Sequence, residues 1–173
     1  MIAWRVAISL LIVVALLPEF PRYAAERRLY QVSAVLQAVF TRPREVPDPG
    51  RVVAWAASTA VGASDSLPGD WRPLNLAGSA WLLARRPEEA LDRYREALVL
   101  GERPEIVVNL GRAYASLGRD DQATAAFVRA AWVSPGVMAT LPRTSQAAVR
   151  REVDALERSL ASGRLAAPPV LPP

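Results

Sequence analysis

Five residues of this chain return at a fixed interval: Gly78, Trp81, Ala90, Tyr94 and Ala97 recur 33 residues later as Gly111, Tyr114, Ala123, Phe127 and Ala130. A period of this length holds two helices and a turn, which restricts the fold to hairpins stacked one on the next. Two helices approach closely only where one presents Gly or Ala to the other. Gly78 and Gly111 do so in the first helix of each unit, and Ala90 and Ala123 in the second. Trp81 or Tyr114, with Tyr94 or Phe127, then fills the wider gaps, so that small and large residues interdigitate.

The same spacing marks a third unit. Ala56, Ala60 and Ala63, followed by Pro68, echo Ala123, Phe127, Ala130 and Pro135. The segment 51–63 therefore reads as the second helix of a degenerate repeat whose first helix is replaced by residues 23–41, an amphipathic stretch with Leu29, Val32, Leu36, Val39 and Phe40 on one side. Helices are expected over 71–84, 87–100, 104–117 and 120–133, and a final one over 144–161. The last places Val149, Val153, Leu156 and Leu160 on one face and Arg150, Arg151, Asp154, Glu157 and Arg158 elsewhere, as an array's exposed end requires. The closing Ala167-Pro-Pro-Val-Leu-Pro-Pro173 cannot pack as a helix and reads as a disordered or polyproline tail, or a docking peptide.

The chain has no Cys and no His, and all 21 of its basic residues are Arg. Thiolate metal sites, His-based acid–base chemistry and Lys Schiff bases are thereby excluded, and no metal or cofactor is expected. The paired carboxylates Glu88–Glu89 and Asp120–Asp121 stand where the second helix of each unit begins, where acidic residues oppose the helix dipole. They read as helix-initiating residues, not catalytic ones. The net charge of +4 comes from Arg dispersed along the chain, without the basic stripe and interleaved aromatics of a nucleic-acid binder.

Residues 6–17 form an uncharged apolar run. Extended from Ile2 to Phe20 it approaches the ~20 residues of a bilayer span, with Trp4, Phe20 and Tyr23 at the interfaces. The expectation is a retained transmembrane anchor over 1–21, with Trp4, Leu10, Val13 and Leu17 among its residues; a cleaved signal is the competing reading. Arg22, Arg27 and Arg28 outnumber Arg5, which favours repeats in the cytoplasm, while a short N-terminal tail before a long domain looks like an uncleaved export signal. A single-pass protein of the bacterial inner membrane with periplasmic repeats is the reading adopted, with the cytoplasm as its alternative.

Taken together, the 33-residue period, the Gly-x2-aromatic and Ala-x3-aromatic-x2-Ala elements and Pro135 resemble the tetratricopeptide repeat (TPR) family over residues 71–136. The resemblance implies an all-α fold of antiparallel hairpins, an α-solenoid, here expected after an N-terminal transmembrane helix and closed by a capping helix over 143–162, with 22–63 as the degenerate unit and 163–173 as tail. It further implies a non-catalytic adaptor binding a protein partner in a bacterial envelope complex, without a small-molecule substrate or nucleic acid. The alternative is a structural subunit whose transmembrane helix packs within a membrane complex. By the same resemblance the groove-facing residues are Asn75, Ser79, Leu82, Val108, Asn109, Arg112 and Ser116. Asn109 stands where carboxylate-gripping members carry an Asn; Asn75 and Ser79 stand where those members carry Lys and Asn.

Overall fold

A computed structural model describes Trp4 and residues 19–164 and 167–172. From Phe20 onward seven α-helices follow in order: α1 Phe20–Thr41, α2 Pro49–Ser64, α3 Arg72–Leu83, α4 Pro87–Val99, α5 Pro104–Ser116, α6 Asp120–Val133 and α7 Arg143–Ala161. Short 3-10 turns, Pro43–Glu45 and Pro135–Thr140, precede α2 and α7. Each helix packs against the next, and α3 also touches α1 and α5. The result is an inner layer of α1, α3 and α5 and an outer layer of α2, α4 and α6, with α7 closing the end.

Local chemistry sets the helix limits. Proline occupies the first turn of α2, α3, α4 and α5, where no N–H is required. Asp48 caps α2 by accepting the Arg51 backbone N–H at 3.1 Å. Glu88 and Glu89 lie in the first turn of α4, and Asp120 and Asp121 in that of α6. Both inner helices of the repeat end alike: the residue-85 N–H bonds Leu82 O at 3.1 Å and Arg86 N–H bonds Trp81 O at 3.0 Å, as Gly118 bonds Ala115 O and Arg119 bonds Tyr114 O. This closing turn needs a left-handed residue. Gly118 (φ 70°) provides it in one copy and Arg85 (φ 62°) in the other.

The repeated residues meet at the helix crossings. Ala90, Tyr94, Ala97, Tyr114, Ala123, Phe127 and Ala130 are fully or almost fully buried, as are Ala56, Ala60 and Ala63. Each buried aromatic contributes about 1.5–3 kcal/mol of burial. One apolar cluster spans α4 to α7 and a second spans α1 to α3; Trp81 packs against both. In α7 Val149 is buried and Val153 and Leu156 are partly so, whereas Leu160 is exposed.

The expected transmembrane helix is corrected. Among the described residues no helix is long and apolar enough to cross a membrane. The first continuous helix among the described residues starts at Phe20, inside the expected anchor, and soon carries Arg22, Glu26, Arg27 and Arg28, charges whose desolvation hydrocarbon does not repay. Leu10, Val13 and Leu17, with most of the apolar run, lie outside the described residues, and Trp4 is exposed. The fold is thus all-α hairpins with a closing helix.

The segment 167–172 forms no helix, yet it lies against the array. Pro169 O accepts a hydrogen bond from Arg129 Nη1 at 3.1 Å, and Leu171 packs on the larger apolar cluster.

Candidate protein-binding groove

The inner layer encloses a groove of about 650 Å³. Leu36 and Phe40 of α1 form one wall, Leu76, Ser79, Leu82 and Leu83 of α3 the floor, and Asn109 and Arg112 of α5, with Thr140, Leu141 and Pro142, the opposite side. The lining is mostly apolar, with Ser33 and Gln37 on the α1 wall and a group of polar side chains on the α3–α5 side, which suits a peptide or helix more than a charged metabolite.

The polar groups of α3 and α5 form a chain of hydrogen bonds that joins these helices. Arg112 Nη1 donates to Asn109 Oδ1 at 3.0 Å, and Asn109 Nδ2 donates to Asn75 Oδ1 at 3.1 Å. The guanidinium accepts nothing, so it fixes which end of the Asn109 carboxamide faces it, and that end fixes the bond to Asn75. The second arm of Arg112, Nη2, donates to Thr140 O at 2.8 Å and holds the Pro135–Thr140 turn against α5. Among the described residues lining the groove there is no carboxylate, and Arg112 rests on a carboxamide and a backbone carbonyl.

Ser79 Oγ donates to Asn75 O at 2.9 Å and receives the Tyr94 hydroxyl at 3.3 Å. Tyr94 therefore reaches from the outer layer through the core to the groove floor. Burial pushes its phenol well above the ordinary tyrosine range, against the smaller opposing pull of the Ser79 bond and the Arg112 charge. It stays neutral and serves as a structural donor.

Of the expected residues, Ser79, Leu82, Asn109 and Arg112 lie in this groove, and Asn75 borders it in a smaller depression shared with Tyr30, Ser33 and Trp71. Ser116 lies apart, with Leu82, Leu83 and Arg85. Val108 is buried in the core, because its turn of α5 faces the neighbouring hairpin.

The wall made by Ser33, Leu36, Gln37 and Phe40, and the closing Thr140–Pro142, go beyond what the repeat period predicts. Residues 23–41 stand in for the first helix of the degenerate unit, but none of the repeated residues aligns with them, so the period does not say which side chains of α1 face the groove. In the sequence Phe40 belongs to the apolar side of this helix; in the structure it is 75% exposed, whereas Leu36 and Val39 are buried.

Comparison with protein-family models, characterised proteins and solved structures finds no match to this chain.

Proposed function

We propose that this chain is a non-catalytic adaptor of TPR type that holds a segment of a protein partner in the groove between α1, α3 and α5. The observation that carries the reading is the groove itself: an apolar trough formed by successive inner helices, with a polar edge braced by Asn75, Asn109 and Arg112. The recurrence of ring-on-glycine crossings at the repeat interval supports the family reading. An apolar helix face or extended segment of the partner would lie on Leu36, Phe40 and Leu82, and Arg112 and Asn109 would set its register.

Photo-cross-linking within cells tests this. A photoreactive amino acid at Phe40 or Leu82 is expected to give one discrete adduct, and the same probe at Glu96 on the outer layer to give none. Leu82→Asp should abolish the adduct formed from position 40 while leaving helicity by circular dichroism unchanged. Equal labelling from both layers, or labelling indifferent to Leu82→Asp, would overturn the proposal.

A further inference from the structure

The terminal segment is not needed to finish α7. That helix already closes on its own left-handed turn, with Gly163 (φ 69°) bonded to Leu160 O at 3.0 Å and Arg164 N–H to Ser159 O at 2.9 Å. The chain nevertheless returns to α6. Pro169, Leu171 and Pro172 are half-buried there, while Val170 between them is 83% exposed. Seated and outward residues in one short segment are how a surface reads an extended peptide.

Pro168, Pro169 and Pro172 have no backbone N–H, so such a segment offers its receptor mainly carbonyl acceptors. The receptor must supply the donor, and Arg129 is held in place to do so. Its Nε and Nη2 bind the two oxygens of Glu102 at 2.7 and 2.9 Å, which fixes the guanidinium plane and leaves Nη1 directed at Pro169 O, 3.1 Å away. With the segment seated the side chain of Arg129 is 18% exposed, and its hydrogen bond to the peptide is charge-assisted and part-buried. Leu171 adds the apolar anchor, and the proline rings reduce the entropy lost on ordering.

We propose that Arg129, braced by Glu102, forms with the adjacent apolar surface a binding site for an extended proline-rich segment, and that residues 167–172 of the same chain fill it in cis. Tethering raises the local concentration of the tail to the millimolar range, so even a weak contact stays occupied. A free peptide meets an open site only when the tail has been released.

The test uses the full chain. Leu171→Asp removes the apolar anchor and frees the site; a capped synthetic peptide of residues 167–172 is then titrated by calorimetry into the variant and the unmodified protein. Saturable binding to the variant is expected, at least about tenfold tighter than to the unmodified chain, where the tail competes. Adding Arg129→Ala should weaken binding about tenfold, the equivalent of about 1.4 kcal/mol. Should that double variant fail to fold, a peptide carrying Leu171→Asp tests the contact on the folded receptor, and it should not bind. No saturable binding to the released chain, equal binding to both chains, or undiminished binding of the altered peptide would each overturn the proposal.

Discussion

The ring of Phe127 occupies the space that a side chain on Gly111 would need: a Cβ there would lie 2.5 Å from Phe127 Cε1. One repeat earlier the same relation holds between Tyr94 and Gly78, again at 2.5 Å. Gly111→Ala should therefore destabilise the protein even though alanine favours helix. Overpacking costs about 1–3 kcal/mol, against a propensity gain of about 1 kcal/mol. Urea denaturation should show a net loss of up to about 2 kcal/mol, and Phe127→Leu in the same chain should recover part of it.

Arg85 holds a left-handed conformation that its counterpart Gly118 adopts without a Cβ. Arg85→Gly is expected to raise stability by up to about 1 kcal/mol, because a strained backbone position is relieved at a turn whose hydrogen bonds are kept. Gly118→Arg should have the opposite sign. Thermal unfolding of the two single variants checks the pair.

The two carboxamides between α3 and α5 should be energetically coupled. Asn109→Ala or Asn75→Ala alone should each cost about 1 kcal/mol, and the double variant less than their sum, since either change already breaks the 3.1 Å bond. A denaturation cycle with a coupling near zero would show that the bond contributes nothing to holding the inner helices together.

Acid should weaken the array at two ion pairs. Burial opposes ionisation of Asp70, yet hydrogen bonds from the Arg72 side chain and backbone outweigh it and hold the carboxyl below its ordinary value. Arg129 lowers Glu102 in the same way. Since both folded-state values lie below the unfolded ones, their stabilisation is complete above about pH 4.5 and is lost as pH falls through the lowered values. Each pair contributes about 1 kcal/mol or less. Asp70→Asn should flatten this part of the pH dependence of the urea midpoint.

The repeat region is legible in the sequence because its boundaries and crossings are local. Proline in the first turn and the turn residues at 85 and 118 delimit α3 to α6 to within about one residue of expectation, and the Gly–aromatic pairs read directly as contacts. What depends on distant partners is not legible. Val108 looks like an inner-face residue until α5 is rotated against its neighbour. The α1 wall follows from packing across a chain separation that the period does not cover. The tail reads as unstructured by composition, and its seat exists only because Glu102 and Arg129, 27 residues apart, are brought together. The apolar run near the N-terminus looks like a bilayer span by composition, but it lies almost wholly outside the described residues, among which no helix is long and apolar enough to cross a membrane.

Trp81 gives the array a property that no single hairpin has. Its indole is shared by both apolar clusters and lies beneath the Arg86 guanidinium, 4.5 Å from the ring centroid. In a linear stack, neighbouring units melt independently unless the junction between them is strong. Here α3 packs on the helices to either side and Trp81 is common to both clusters, so fraying from the α1 end is expected to disturb the repeats as well.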